Sequence, residues 1–242
     1  MNKKIRVVAI DGPAGSGKSS VSSEICARTG WIYLNTGLLY RAVGLIGSEQ
    51  GLNLDDEQQL GPLIETFNQT LRWDSKTSRI FYKDRDLTPD IGSKVSGNNA
   101  SRVAKLPLVR KKLLPIQRNF ITMAHTGVIM DGRDIGTVVY PEADLKIFMI
   151  ASIEERARRR ILQLSGSIKE GETSKTFKVD PKLLAETMHD MAKRDEQDSN
   201  RKSAPLKKAD DAIELDTSHL SLKEVVEKVI SLMKERRLIP TK

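Results

Sequence analysis

The sequence has one cysteine, few aromatic residues and no long apolar run. Because Cys26 is the only cysteine among 242 residues, an internal disulfide is excluded, and we expect a reducing compartment. Aromatic residues make up 5% of the chain, which argues against an RNA-binding surface of stacked rings, so no specific nucleic-acid partner is expected. The first apolar run covers only residues 7–10, far short of the roughly 18 residues of a membrane span. We therefore predict a cytoplasmic protein without membrane association.

Positive charge exceeds negative charge along the chain. There are 40 lysines and arginines against 32 aspartates and glutamates, for a formal net charge of +8. A basic excess suits a polyanionic partner, and a nucleotide satisfies this as well as a nucleic acid does. The length is sufficient for one sizeable core with a small appended region, and no repeat or low-complexity linker divides it. We predict a single catalytic unit over residues 1–242 that acts as a monomer.

A phosphate-binding loop follows the first apolar run. Gly12, four further residues and then Gly17, Lys18 and Ser19 fit the P-loop pattern G-x-x-x-x-G-K-[ST]. A strand before the loop and a helix over residues 19–28 place its glycines where backbone N–H groups converge on phosphate oxygens. We expect Lys18 to contact the β- and γ-phosphates of ATP and the Ser19 hydroxyl to bind Mg²⁺. The residues predicted to hold ATP in this segment are Gly12, Pro13, Ala14, Gly15, Ser16, Gly17, Lys18, Ser19 and Ser20.

Alternating apolar strands and helices predict a parallel α/β sheet. Further strands are expected at 31–34, 128–130, 145–149 and 212–215, and further helices at 36–51, 107–124, 153–164, 181–194 and 222–236. Pro115 should kink or split the 107–124 helix. Short segments between residues 71 and 87 predict an inserted antiparallel meander. The polar, lysine-rich segment 165–180 fits either a mobile lid or a plain surface loop.

Two carboxylates flank an arginine directly after the predicted strand at 128–130. Asp131, Arg133 and Asp134 lie just past the strand end, where open α/β sheets bind ligands. Asp131 could hold a water on Mg²⁺, or it could simply pair with Lys18 or Arg133. Among the arginines between residues 156 and 160, one or two could reach the transferring phosphates.

Several ordered motifs together resemble the bacterial-type cytidylate kinases, which belong to the nucleoside monophosphate kinase group of P-loop proteins. The motifs are the loop at 11–19, Thr36-Gly37 followed by Tyr40-Arg41, Asn99-Ala100-Ser101, residues 131–139, and Arg194-Asp195 leading through Asp198 to Arg201. The resemblance runs along nearly the whole chain. It implies a P-loop three-layer α/β fold with a parallel sheet flanked by helices. It also implies an inserted monophosphate-binding region at 37–124, containing a small antiparallel sheet, and a lid at 156–194.

The resemblance also implies an activity and a set of site residues. The activity is reversible, Mg²⁺-dependent transfer of the ATP γ-phosphoryl group to CMP or dCMP, in pyrimidine nucleotide metabolism. The implied catalytic residues are Lys18, Arg133, Arg194 and Asp198, and Arg156 would join the ATP site. The implied acceptor-binding residues are Thr36, Arg41, Arg133 and Arg201 around the phosphate, Ser101, Arg110 and Asp134 at the cytosine, and Asp198 near the sugar and the transferring phosphoryl group, with Tyr40 as a further substrate-binding residue. Ser19 and, through water, Asp131 would hold the metal.

Three features depart from the family pattern, and two other functions remain open. Asn35 stands where the family often has aspartate, Pro115 interrupts the helix that carries Arg110, and the segment 165–180 is longer than a short bacterial lid. One alternative is a P-loop kinase of another small acceptor, which the cytosine-reading set disfavours. The other is a nucleotide-dependent switch or RNA-associated module, against which the absence of an Asn-Lys-x-Asp guanine motif argues.

Overall fold

Two sheets of different size organise the molecule. The computed structural model describes residues 5–74, 79–165 and 178–241. In these ranges the strands are β1 (Arg6–Asp11), β2 (Ile32–Asn35), β3 (Leu71–Asp74), β4 (Arg79–Tyr82), β5 (Arg85–Asp86), β6 (Gly127–Gly132), β7 (Leu145–Ile150) and β8 (Ile213–Asp216). The helices are α1 (Lys18–Thr29), α2 (Gly37–Glu49), α3 (Glu57–Thr70), α4 (Thr88–Ile91), α5 (Lys94–Val103), α6 (Pro107–Thr122), α7 (Ile153–Ser165), α8 (Pro181–Ser199) and α9 (Leu222–Glu235). A π-helical turn covers Ile135–Val139.

The larger sheet is parallel throughout and has the order β2-β6-β1-β7-β8. Its central strand β1 is apolar and inaccessible to solvent from Val7 to Ile10. An unbroken apolar run of this kind is typical of a parallel strand with helices on both faces. One face packs with α1 and α9, and the other packs with α2 and the helices that follow it. The predicted three-layer α/β fold is confirmed. No helix in the described part of the chain has the length and apolarity needed to cross a membrane.

The smaller sheet is the predicted antiparallel meander, with the order β3-β4-β5. Its Trp73 donates a hydrogen bond from Nε1 to the Tyr33 carbonyl oxygen at 3.1 Å and packs edge-on against Phe120. Leu34 of the large sheet and Phe67 of α3 belong to one continuous core cluster. The smaller sheet and the helices beside it therefore share a core with the main sheet. The bounds of the predicted monophosphate-binding region, 37–124, stay a prediction.

Some helices differ from what the sequence predicts. The helix α6 continues through Pro115 without being split. The helix α8 runs to Ser199, beyond the predicted end at residue 194. Three helices were missed. The helix α3 contains Gly61 and Pro62, which read as breakers, α4 has only four residues, and α5 is rich in glycine, serine and asparagine, which are weak helix formers. Packing on α2 and a cap from the Ser93 side chain, which accepts from the Ser96 N–H, stabilise α5.

Candidate active site

The phosphate-binding loop joins the central strand β1 to α1, as predicted. Gly12 has φ +145°, and a Cβ there would lie 2.1 Å from the Met149 carbonyl oxygen. Gly17 has φ +93° and precedes the first residue of α1. Both positions therefore require glycine, the first for space and the second for its left-handed backbone. The loop ends at a helix N terminus, which favours bound anions.

Lys18 is folded back over this loop. Its Nζ donates to the Pro13 carbonyl oxygen at 2.7 Å and to the Ser16 hydroxyl at 3.3 Å, and the residue is 6% exposed. Burial holds the pKa of Lys18 well below its usual range, and the charge of Arg133 lowers it further. Asp131 and Asp11 only partly offset these effects on the pKa. A phosphate bound in the loop would be a negatively charged partner for the Lys18 ammonium and would raise its pKa again.

Ser19 and Asp131 lie together beside the loop. The Ser19 hydroxyl donates to Asp131 Oδ2 at 2.8 Å, and the Tyr33 hydroxyl donates to the same oxygen at 2.8 Å. Asn35 Nδ2 donates to the Ser19 hydroxyl at 3.2 Å. The sequence leaves two roles open for Asp131, holding a water on Mg²⁺ or pairing with Lys18 or Arg133. Neither Lys18 nor Arg133 donates a hydrogen bond to Asp131 among the residues that the structure describes. The carboxylate instead accepts from two hydroxyl groups.

These residues fit a magnesium ion held mostly by substrate. The Ser19 hydroxyl and the Asp131 carboxylate are hard oxygen donors 2.8 Å apart, next to the phosphate loop. Among the residues described, no group of three or more histidine, cysteine, aspartate or glutamate side chains could enclose a metal. Mg²⁺ commonly takes one or two protein oxygens, with phosphate oxygens and waters completing its octahedron. The donor set therefore suits Mg²⁺ bound together with ATP.

Arg41, Arg133 and Arg194 come from three different elements and lie near one another at the edge of the sheet. A Cβ built on Gly97 would lie 3.4 Å from Nη2 of Arg41 and 3.5 Å from Nη1 of Arg194. Burial lowers the pKa of Arg41 to about 10, with further effects from Arg194, Arg160 and Arg133. Burial also lowers the pKa of Arg194 to about 10, with Arg133 the next cause. The buried Nε of Arg194 has no hydrogen-bond partner within the described ranges. Crowded, partly desolvated guanidinium groups of this kind favour a bound anion.

Asp198 connects two of the predicted acceptor-site arginines. Its Oδ2 lies 3.0 Å from Arg133 Nε, and its Oδ1 lies 3.8 Å from Arg201 Nη1. Burial alone would raise the pKa of Asp198, but Arg133, Arg201 and Arg194 outweigh it and the pKa is lowered. Asp198 is therefore a carboxylate that holds arginine side chains in place.

Arg110 and Asp134 form a buried ion pair, with side chains 8% and 7% exposed. The Arg110 guanidinium lies 5.3 Å from the centre of the Tyr40 ring. The Ser101 hydroxyl donates to the Gly97 carbonyl oxygen within α5 at 3.2 Å, and its contact with cytosine stays a prediction. Thr36 likewise donates its hydroxyl to a main-chain oxygen, that of Asp131, at 2.8 Å. The structure thus brings together Arg110, Asp134 and Tyr40. The hydroxyl groups of Ser101 and Thr36 are hydrogen-bonded to main-chain oxygens.

Two arginines of the basic helix α7 reach the phosphate loop, Arg156 at the Ala14 carbonyl oxygen and Arg159 at the Ser16 carbonyl oxygen, the latter at 3.5 Å. Arg156 Nη1 lies 3.2 Å from the Ala14 carbonyl oxygen and 2.5 Å from Asp195 Oδ2. Arg159 is occupied by Glu155 and by the Thr217 carbonyl oxygen, at 2.8 and 2.7 Å. Residues 166–177, the middle of the predicted lid, lie outside the described residues.

Sequence reasoning assigned no role to several residues that contact the site. Tyr33 reaches Asp131, and Asp11 accepts two N–H groups from the π-helical turn. Thr217 donates to the Ser16 carbonyl oxygen at 3.1 Å from a segment 201 positions away. Asp11 could have been identified by its place at the carboxyl end of β1, whereas no local signal identifies Tyr33 or Thr217.

Comparison with known proteins identifies the family. The model of the family described as cytidylate kinase matches residues 8–235. The chain belongs to the cytidylate kinase family. Similar curated relatives include the cytidylate kinases of Acholeplasma laidlawii (strain PG-8A), 42% identical over 231 residues, and Pseudomonas fluorescens (strain SBW25), 42% identical over 233 residues. These alignments cover 95% and 96% of this chain and, in both cases, 96% of the relative. The cytidylate kinase of Geobacillus sp. (strain WCH70) is 41% identical over 236 residues, covering 98% of this chain and 99% of that protein. The predicted family resemblance and enzyme class, a nucleoside monophosphate kinase, are confirmed.

Proposed function

We propose that this kinase transfers the γ-phosphoryl group of ATP to CMP or dCMP, giving ADP and CDP or dCDP, with Mg²⁺ required. The observation that carries the proposal is that Lys18 of the phosphate loop lies close enough to Arg133 and Arg194 for their charges to lower its pKa, while Arg194 shares the space around Gly97 with Arg41. Positive charge that is only partly balanced by carboxylates thus lies at one sheet edge in two places, the phosphate loop and the group of Arg41, Arg133 and Arg194. This arrangement suits two substrates that both carry phosphate. Family membership supports the same reaction.

The donor side of the reaction would be organised by β1, the loop and α1. The loop backbone and Lys18 would hold the β- and γ-phosphates, and Arg156 would approach from α7. Ser19 and, through water, Asp131 would hold Mg²⁺, which when bound neutralises charge on the β- and γ-phosphate oxygens. Asn35 and Tyr33 would keep the Ser19 and Asp131 side chains in place through their hydrogen bonds.

The acceptor side needs orientation rather than a protein nucleophile. An oxygen of the CMP phosphate is itself the nucleophile, so the enzyme's task is to align it with the γ-phosphorus and to stabilise developing charge. Arg41, Arg133 and Arg194 would bind this phosphate, since a guanidinium can donate to two phosphate oxygens at once. Arg201 would join them, and Asp198 would fix Arg133 in a productive rotamer. Positioned positive charge then lowers the barrier.

The cytosine ring would be read by the Arg110 and Asp134 pair. Asp134 can accept from the 4-amino group of cytosine, whereas the O4 of uracil would set two acceptors against each other. Arg110 can donate to N3 or O2 of cytosine but meets an N–H at position 3 of uracil. Because the two side chains pair with each other, their mutual aim is fixed before the base enters.

The setting of the reaction follows from the sequence-based predictions. We propose action in cytoplasmic pyrimidine metabolism as a monomer, without a nucleic-acid partner. The region 37–124 would bind the monophosphate, and residues 156–194 would form a lid over ATP.

The test is ADP formation from Mg·ATP with each nucleoside monophosphate in turn. We expect rapid ADP formation with CMP and dCMP, and little without an acceptor, because an empty acceptor site leaves water poorly placed. Omission of Mg²⁺ should abolish the reaction. Strong ATP hydrolysis that ignores CMP would refute the proposal and favour a nucleotide-dependent switch.

A further inference from the structure

Asp11 lies between the donor and acceptor halves of the site. It is the last residue of β1, is 5% exposed and directly precedes the phosphate loop. Its Oδ1 accepts from the Ile135 N–H at 2.8 Å, and its Oδ2 accepts from the Gly136 N–H at 2.7 Å. The two amides follow Asp134 and begin the π-helical turn. One carboxylate thus links the start of the donor loop to the turn that directly follows Arg133 and Asp134.

The turn has a conformation that needs this support. The N–H groups of Val138 and Val139 both donate to the Asp134 carbonyl oxygen, at 2.9 and 3.1 Å. Its first two amides, those of Ile135 and Gly136, point instead to Asp11. Because a wide π-turn is uncommon and its first donors have no partner inside the turn, an external acceptor fixes where the turn begins.

Both oxygens of the Asp11 side chain are used, which explains a carboxylate at this position. A carboxamide presents one oxygen and one NH₂ group, so one of the two buried amides would face another donor. Burial raises the pKa of Asp11 to about 6, while the two amides and Lys18 oppose that rise. The group is therefore buried despite the electrostatic cost of its burial.

We propose that Asp11 is a positioning residue for acceptor selection: its paired contacts with Ile135 and Gly136 set the place of Arg133 and Asp134. The inference rests on the proposed function, because it assigns Asp134 to the cytosine and Arg133 to the acceptor phosphate. Displacing the turn moves both side chains together. Asp11 thereby influences base choice without touching the base.

The experiment compares Asp11→Asn with the matched variant Asp144→Asn. Asp144 also accepts a main-chain N–H, that of Val7 at 2.8 Å, at the opposite end of the same strand. The measurements are the dissociation constant of CMP by calorimetry and the ratio of kcat/KM for CMP to that for UMP. We expect Asp11→Asn to weaken CMP binding and lower this ratio by about tenfold, the effect of one unpaired buried polar group. Asp144→Asn should leave both quantities within about twofold of wild type, because one carboxamide oxygen can still accept the Val7 N–H and the site lies at the other end of the strand.

A loss of stability alone would not move the ratio, because unfolded enzyme is lost equally from both assays. If Asp11→Asn is folded and keeps the wild-type ratio and CMP affinity, the proposal is wrong. Asp11→Glu provides a second variant, since it keeps the charge and both oxygens but moves them by one methylene group. A lowered ratio in Asp11→Glu supports the proposal, and an unchanged ratio contradicts it. Wild-type enzyme inactive towards CMP would instead overturn the proposed function itself.

Discussion

Arg133 and Asp198 are 65 positions apart in the chain, yet Nε of the arginine lies 3.0 Å from Oδ2 of the aspartate. Arg133 follows β6, and Asp198 lies in the last turn of α8. The contact therefore joins the sheet edge to the helix that also carries Arg194. The Nη1 group of Arg133 donates to the Gly132 carbonyl oxygen at 3.3 Å, so the side chain is held from two sides.

Arg133→Ala should lower kcat and weaken CMP binding. We expect a fall in kcat of about a hundredfold or more, because the lost charge acts on the aligned acceptor phosphate in the transition state. Steady-state kinetics with CMP and calorimetry give the two quantities. Arg28→Ala is the matched control, since Arg28 forms its ion pairs with Glu24 and Glu227 on the surface. A change in Arg133→Ala confined to stability would instead identify a purely structural ion pair.

Lys18→Ala should abolish phosphoryl transfer while the fold is retained. Burial already lowers the pKa of Lys18 well below its usual range, so removal of its ammonium relieves a desolvated charge. We expect a loss of activity of at least about a hundredfold and no fall in Tm larger than a few degrees. Lys112→Ala, which removes a lysine paired with Glu65 at the surface, serves as the control. Near-normal turnover in Lys18→Ala would contradict the role of the loop in catalysis.

Asp134→Asn should narrow the preference for CMP over UMP. Alanine is unsuitable here because it would leave Arg110 buried without its partner, at a cost of about 3–5 kcal/mol. The asparagine can donate to the uracil O4, so we expect the CMP to UMP ratio of kcat/KM to fall about tenfold or more. Competition assays with both acceptors measure it. Equal use of UMP and CMP by the wild-type enzyme would rule out base reading by Asp134 and Arg110.

The local parts of this site could be predicted from sequence, and the long-range pairings could not. The P-loop is a contiguous pattern whose strand, turn and helix all lie within residues 6–29. By contrast, Arg41, Arg133 and Arg194 come from α2, the segment after β6 and α8, and only the folded chain brings them together. The family resemblance predicts all three as site residues because a family pattern reflects a shared tertiary structure, and their roles stay predictions.

Hydroxyl groups were the least predictable members of the site. Ser101 and Thr36 each satisfy a nearby main-chain oxygen, and Ser19 donates to Asp131. A hydroxyl rotates to the best local acceptor, so residue type and spacing do not determine its partner. The same limit applies to Asp131, whose donors Ser19 and Tyr33 lie on two separate elements.

The stability of wild-type protein relative to Asp11→Asn should rise as the pH falls. The pKa of Asp11 is raised from 3.8 to about 6 in the folded protein, chiefly by burial. Between these values the folded state binds more protons than the unfolded state, so stability decreases as pH rises through the window. Urea denaturation at a series of pH values should show the difference in unfolding free energy growing by up to roughly 1.4 kcal/mol per pH unit on acidification. A pH-independent difference would contradict the raised pKa.

Cys26 should react slowly with thiol reagents in the folded protein. Burial raises the pKa of the Cys26 thiol to about 12, and the charge of Asp131 adds to this effect. Since the thiolate is the reactive form, we expect labelling by a disulfide reagent at pH 8 at least about tenfold slower than that of a free thiol. The same protein unfolded in guanidinium chloride is the control and should react at the free-thiol rate. Rapid labelling of the native protein would show that the thiol is accessible and ionised.

The pairing of β1 with β6 limits which changes in sequence the site can tolerate. Ile10 stands opposite Asp131 and Asp11 opposite Gly132, so the phosphate loop and the segment with Arg133 and Asp134 leave the sheet from adjacent strands at the same level. Neighbouring strands are about 4.8 Å apart, and main-chain hydrogen bonds rather than side chains maintain that spacing. The pairing of β1 with β6 therefore sets the distance between the phosphate loop and the segment that follows β6. A one-residue slip of β6 against β1 would instead turn Asp131, which lies in the strand, to the opposite face of the sheet and away from Ser19.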